Sequence, residues 1–379
     1  MKVTRQLLPS FSIAAVIVAT ASLLEFATPG AAHYRLGQEI DISTVATGLH
    51  NPRGLNFAPD GSLYVAEAGG NGTASQTECG VMGDGSTKCY AETGSIARID
   101  VSSGKVTRVL SGLPSLISQN GTAGGATGVH DISFQGFGNT YITVGLGGNP
   151  NLRDDYFGDH GMSFGRLARS NPSGKFTLRQ DLSGYEADHN PDGVVPDSNP
   201  YGVLALPGRT IIADAGGNDL LEVSAKGAIS VLAVFDPVAR PTPGPPFVQA
   251  VPTTVALGPD GDFYVGVLTG GPFTIGLAKI YRVPLFGGDP EVAYSGFTNI
   301  IDIAFGPDGS LYVVEIAHPV PNFAGGKLIR IAPDGTRTEL INGDPLFAPG
   351  GIVVGKDGSL YLTNKSVNPV AGEVLKVTL

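Results

Sequence analysis

Six times along this chain an apolar strand, a tight turn and a second apolar strand follow one another. The clearest copies occupy residues 54–65 and 303–313, where Ala-Pro-Asp-Gly-Ser-Leu-Tyr-Val and Gly-Pro-Asp-Gly-Ser-Leu-Tyr-Val stand at matching places. Two more lie at 255–265 and 352–362, and two degenerate ones at 132–142 and 203–212. A strand unit recurring at long period marks a radial or solenoid repeat, because one unit alone cannot bury its apolar face and must stack on its neighbours.

Each block is followed by a third alternating strand, near residues 95–99, 165–169, 220–223, 279–283, 327–331 and 373–377. Alternation of apolar and polar residues is the pattern of a strand with one buried face. A fourth strand follows five times, at 106–110, 176–182, 229–235, 291–294 and 337–341. The sixth unit has none, because the chain ends at Leu379, and a spare strand precedes the first unit at 42–49. The count predicts an all-β six-bladed β-propeller over residues 33–379, its last blade closed by the N-terminal strand. Radial repetition leaves only short strand edges open to aggregation. No segment of helical period and useful length is apparent after the leader.

Residues 1–32 read as a secretion signal. Lys2 and Arg5 precede a mostly apolar stretch at 7–24, and small residues lead to a cut after Ala32. The expected location is secreted or periplasmic, with no stable membrane insertion. Lys and Arg number 24 against 34 Asp and Glu, a net charge of −10. That balance excludes nucleic acid as a partner, since phosphate must be neutralised by basic patches. A monomer is expected. The two cysteines, Cys79 and Cys89, sit close together in one loop and read as a single disulfide of an exported protein. Closing so short a loop is worth about 3 kcal/mol at best.

Loop lengths separate the two faces. One carries tight Asp-Gly turns at Asp60, Asp260, Asp308, Asp334 and Asp357. Gly accepts positive φ there and Asp bonds its own backbone, so turns are expected and not cation sites. The other face carries the long insertions at 68–94, 145–164, 183–199 and 236–252. Binding residues concentrate on such loops above a rigid scaffold. The channel at this face is expected to be ringed by Glu67, Asp131, Asp214, Asp302, Glu315 and Asn364, with Arg53, His130 and Tyr201 among them. Two readings of the ring stand. The side chains cap strand ends, or they form an oxygen-rich cation site, for which calcium is the natural cofactor. His130 beside Asp131 is the candidate for proton transfer near neutral pH. His160 and His189, each after an Asp, are further ligand-binding candidates. No nucleophile elbow, zinc spacing or phosphate loop is present.

The repeated Pro-Asp-Gly-Ser-Leu-Tyr-Val block, with Ile211-Ile212-Ala213-Asp214-Ala215-Gly216-Gly217-Asn218, resembles the NHL-type propeller repeat. The stretch from Gly48-Leu49-His50-Asn51-Pro52-Arg53-Gly54-Leu55 through Glu67-Ala68-Gly69-Gly70-Asn71-Gly72 resembles the ScyD/ScyE family of exported propellers. That resemblance continues through Asp131-Ile132-Ser133-Phe134, Phe164-Gly165-Arg166-Leu167 and Asn199-Pro200-Tyr201-Gly202. It implies a six-bladed fold and export, and it carries no settled reaction. Two enzyme groups on a similar scaffold supply alternatives. Calcium-dependent lactonases similar to gluconolactonase hold their metal in the channel with Glu, Asn and Asp, residue types present here. Quinone-dependent sugar dehydrogenases have a first-blade pattern similar to Pro52-Arg53-Gly54 through Glu67, and a histidine region to which Asp159-His160 is similar. The expected function is therefore binding of a small molecule, glycan or protein at the loop-rich face, with a lactonase-like hydrolase and a sugar dehydrogenase-like oxidoreductase as alternatives.

Overall fold

Six antiparallel blade sheets follow one another in the computed structural model, with a two-stranded ribbon in the fourth insertion; it describes residues 40–119, 125–136, 138–171, 174–241, 244–317 and 325–379. The leader expected over residues 1–32 lies outside the described residues. Blade 1 is built from Pro52–Phe57, Leu63–Glu67, Thr87–Asp100 and Lys105–Ser118. Blade 2 is Val129–Phe134, Thr140–Val144, Arg166–Ser170 and Phe176–Asp181. Blade 3 is Pro200–Leu206, Arg209–Asp214, Asp219–Ser224 and Ile229–Val234. Blade 4 is Pro252–Leu257, Phe263–Val267, Ala278–Val283 and Glu291–Phe297. Blade 5 is Ile300–Phe305, Leu311–Glu315, Lys327–Ile331 and Arg337–Asn342.

Blade 6 takes Gly351–Val354, Leu360–Asn364 and Gly372–Thr378 from the C-terminal end and its fourth strand, Asp41–Leu49, from the N-terminal side. Asp41 pairs with Thr378 and Leu49 with Gly372. The first strand of each blade neighbours the first strand of the next, and that of blade 6 returns to blade 1. The ring thus closes with six sectors, as the strand count predicts.

The core is divided among the blade interfaces. Ile96 and Leu116 meet Ile132 and Ile142 between blades 1 and 2, and Leu167 meets Val203, Ile212 and Leu221 between blades 2 and 3. Ile211 and Leu220 meet Phe263 and Val265 between blades 3 and 4, and Ile280 meets Ile303 and Leu311 between blades 4 and 5. Val314 and Leu328 meet Leu360 and Leu362 between blades 5 and 6. Leu55 and Val65 meet Leu49, Tyr361 and Val374 where blade 6 meets blade 1. These are the alternate positions that face outward from each sheet, so every blade is stabilised by burial on two sides.

The lean face is made as its Asp-Gly pairs require. Gly61 and Gly309 have φ of 83° and 78°. Asp60 Oδ1 accepts from Ser62 N at 2.9 Å, and Asp308 Oδ1 from Ser310 N at 3.0 Å. The insertions of the loop-rich face carry ordered elements that the sequence reading left as loops: the second holds the short helix Arg153–Phe157 and the fourth a ribbon of Val238–Ala239 with Phe247–Val248. The first insertion is ordered as a hairpin: Cys79–Val81 pairs with the start of the long strand Thr87–Asp100, and Cys79 is directly opposite Cys89 in a disulfide. The third contains a helix, Leu182–His189. Asp181 caps its start by accepting from Gly184 N at 2.9 Å, and Asn190 ends it in the left-handed region. Only Leu182, Ser183 and Glu186 of this helix are buried, so no apolar stripe advertises it, and its caps were the only sequence signal.

Candidate functional site at the loop-rich end of the axis

Strand pairing aligns the first strands and sorts their axial residues into two layers. Pro52, Val129, Pro200, Pro252 and Ile300 each pair with the end of a second strand. One residue further on stand Arg53, His130, Tyr201, Thr253 and Ile301. Two residues further on stand Gly54, Asp131, Gly202, Thr254 and Asp302.

The deeper layer is a set of braces. Asp131 Oδ1 accepts from Ile132 N at 2.7 Å and its Oδ2 from Val203 N of blade 3 at 2.8 Å. Asp302, in the opposite blade, does the same. Its Oδ1 accepts from Ile303 N at 2.8 Å and from Thr254 Oγ1 at 2.6 Å, and its Oδ2 from Ile352 N of blade 6 at 2.8 Å. A Cβ on Gly54 would run into the Asp131 carboxyl, so blade 1 needs glycine at this position. Both carboxyls are half-buried at the axis yet enclosed by protein. Burial raises Asp302 to about 6. Burial, and then the charge of Asp302, push Asp131 well up.

The upper layer is basic. The His130 ring is buried, its Nδ1 is 3.1 Å from Pro200 O, and its centroid lies 4.5 Å from that of Tyr201. A carbonyl only accepts, so Nδ1 carries the proton and Nε2 is left as an acceptor. Burial, then the charge of Arg53, lower its pKa to about 3. The sequence placed this imidazole near neutral poise beside Asp131; instead it is a neutral ring, and Asp131 is spent on backbone amides. Arg53 Nη2 donates to Ala126 O at 2.8 Å, while its Nε is buried without a partner; the buried Tyr201 hydroxyl has only the Arg53 guanidinium beside it. The inserted hairpin adds a residue that sequence reasoning missed. Lys88 Nζ donates to Thr127 Oγ1 at 2.8 Å, and burial lowers its pKa to about 8, with Arg53 adding to the effect. Asn199 was missed as well; its Oδ1 is buried without a partner, and a side chain on Gly145 would collide with both it and His130.

The other expected ring members are not brought to the axis. Glu67 is fully buried, accepting from His50 N at 2.7 Å and from Arg108 Nε and Nη2 at 2.9 Å each. Asp214 accepts from Ser198 Oγ, Asn199 N, Gly216 N and Gly217 N. Glu315 accepts from Thr298 N at 2.7 Å, and Asn364 Oδ1 from Phe347 N at 2.8 Å. Each ties its own blade to the loop arriving from the previous one. Among the described residues no three His, Cys, Asp or Glu side chains are set to hold one metal ion. His160 is exposed, stacked on Tyr90 and bonded to Glu78 Oε1 at 2.6 Å. His189 is exposed and stacked on Tyr185. His160 is thus held by the first insertion, from the neighbouring blade, and His189 by its own helix.

Fold and side chains together define a six-bladed β-propeller whose loop-rich end gathers Arg53, Lys88, His130 and Tyr201 above two carboxyl braces. A glucose dehydrogenase structure matches with a TM-score of 0.51 at 15% identity, over 89% of this chain and 99% of that one. A virginiamycin B lyase from Staphylococcus aureus gives 0.47 at 16% over 90% and 100%, and a gluconolactonase-like protein 0.48 at 12% over 91% and 93%. At such identities the likeness is one of fold. No protein-family model and no curated protein matches the chain.

Proposed function

We propose that this chain is an exported propeller of the ScyD/ScyE type that binds a small organic anion, a carboxylate or phenolate, at the loop-rich end of its axis. One observation carries the reading. Arg53, Lys88 and His130 stand together with Tyr201; Arg53 Nε is buried without a partner, and the Tyr201 hydroxyl has only the Arg53 guanidinium beside it. Buried polar groups are rarely left unpaired, and an anion supplies acceptors for both the guanidinium and the hydroxyl. A neutral His130 offers Nε2 to a ligand hydroxyl, so the set suits an anion that also carries a donor. Export is supported by the Cys79–Cys89 disulfide. Among the described residues no helix is long and apolar enough to cross a membrane.

The test is a thermal-shift screen of small carboxylates, phenols and lactones against the mature protein and Arg53→Gln. At least one anion raises the melting temperature of the parent. Its affinity falls roughly 10- to 100-fold in the variant, the loss of one charge-assisted bond. Turnover of a lactone or sugar, abolished in His130→Ala, overturns the binding reading in favour of an enzyme. So does a ligand set that is neutral and indifferent to Arg53.

A further inference from the structure

On the loops of blades 2 and 3 four carboxylates come together, three of them around one glycine. Glu186 comes from the helix Leu182–His189, Asp192 from the turn after it, and Asp214 and Asp219 from the two ends of the hairpin loop Asp214-Ala215-Gly216-Gly217-Asn218-Asp219. A Cβ on Gly217 would lie 3.3 Å from Glu186 Oε2, 3.5 Å from Asp214 Cγ and 3.5 Å from Asp219 Oδ1. Three carboxyl groups from separate elements therefore face one spot that is open only because residue 217 lacks a side chain. Gly217 is not among the residues of positive φ, so its backbone does not demand glycine.

These groups are not equivalent. Asp214 is saturated by its four donors and acts as a loop clamp. Asp192 is half-buried and accepts from Asn218 Nδ2 at 2.8 Å and from Val194 N at 3.0 Å. Glu186 and Asp219 are 3% and 1% exposed, and each has a buried oxygen, Oε1 and Oδ1, with no hydrogen-bond partner. The charges acting on Asp219 are Asp214, Glu186 and Asp192, all of its own sign. Those acting on Glu186 are Asp214, Asp192 and Asp197. Buried charges are ordinarily paired or coordinate metals, and here no basic side chain supplies the pairing.

We propose that Glu186 and Asp219 bind one hard divalent cation beside Gly217, with Asp192 and Asp214 reached through its water shell. Two direct carboxylates and several retained waters are the habit of magnesium, and calcium also accepts water among its oxygen ligands. With two direct ligands the site falls short of a cluster of three, and no such cluster is present among the described residues. The site is distinct from the acidic ring expected at the axis: it uses Glu186 and Asp219, which no sequence motif singled out. It also stands independently of the anion pocket. In function it fastens the loop bearing Ser198 and Asn199, which borders His130, to the hairpin of blade 3.

The experiment is isothermal titration of the chelator-treated mature protein with magnesium chloride and, separately, calcium chloride at mildly alkaline pH. Binding of one equivalent of either ion is expected, accompanied by a rise in melting temperature. Asp219→Asn, nearly isosteric, weakens binding at least about tenfold. Gly217→Ala, which fills the open spot with a methyl group, weakens it likewise. Both variants melt at or above the chelated parent, since one removes like charge and the other places an ordinary residue at negative φ; should Gly217→Ala not fold, Asp219→Asn decides alone. Arg53→Gln keeps cation binding, which separates this outcome from that of the anion pocket. Absence of saturable binding by either ion, or binding that survives Asp219→Asn unchanged, overturns the site and leaves protons as what the cluster holds.

Discussion

Asp131 and Asp302 stand in opposite blades at equivalent positions, and each accepts an amide from its own strand and one from the next blade. Replacing Asp302 with Ala strands Ile303 N and Ile352 N together with the Thr254 hydroxyl. Each buried donor left unpaired costs about 1–3 kcal/mol, and the hydroxyl can rotate to another acceptor, so the two stranded amides alone are expected to cost the variant roughly 2–6 kcal/mol in urea unfolding. Asp302→Asn keeps one acceptor oxygen and relieves the charge felt by Asp131, and it is expected to cost less than half as much. Equal losses for the two variants would contradict the bracing role. At this scale the sequence was only partly legible. Arg53, His130 and Tyr201 were readable because the start of a first strand must border the axis. Glu67, Asp214, Glu315 and Asn364 were misplaced for a reason of geometry. The second strand lies about 4.8 Å further out, so a side chain at its end meets its own blade's incoming loop before it meets the axis. Nothing in spacing distinguishes a strand-end clamp such as Asp214 from a ligand; only its four donors do.

The hairpin from Cys79 to Cys89 carries Lys88 toward Arg53 and so supplies one side of the proposed anion site. Its disulfide closes a loop with a sequence separation of 10, worth about 3 kcal/mol at most in chain entropy. The pair Cys79→Ser and Cys89→Ser is therefore expected to shift the global melting temperature modestly. It is also expected to weaken anion binding at the axis by loosening Lys88, read as a larger change in affinity than Arg98→Ala on the lean face produces. Unchanged affinity would remove Lys88 from the pocket. The blades themselves were legible from the repeat and from Asp-Gly turns with Gly at positive φ. So was the closing strand Asp41–Leu49, since a fourth strand was missing at one end of the chain and spare at the other. The hairpin had its own signal, Asp84-Gly85 before Ser86, where Asp84 Oδ1 accepts from Ser86 N at 2.8 Å. The flanking strand Cys79–Val81 is only three residues long and shows no alternation to find.

Over the whole molecule, buried acids outweigh buried bases, and this sets how stability responds to pH. Burial raises Asp302 and Asp197 to about 6, Glu315 to about 7 and Glu186 to about 8, and pushes Asp131 and Asp219 well up. An acid whose folded pKa exceeds its unfolded one binds its proton more tightly in the native state. Its contribution is complete below the ordinary carboxylate range and is lost as pH climbs through the raised value. His130 acts in the opposite sense: held down to about 3, it favours the native state above the ordinary imidazole pKa, and that contribution disappears as pH falls toward 3. The two limbs cross in mildly acidic solution, where the melting temperature is expected to peak. It then declines as pH rises toward about 8, a span governed by Glu186 and Glu315. Scanning calorimetry of the chelated protein across this range checks the sign, and a melting temperature that climbs steadily from mildly acidic to mildly alkaline pH contradicts it. A divalent cation at Glu186 and Asp219 substitutes for the proton those groups would otherwise keep. Magnesium or calcium is therefore expected to flatten the alkaline limb and leave in place the acid limb, which belongs to His130 and to carboxylates held below their ordinary range by hydrogen bonds and basic neighbours, such as Asp181 and Asp308.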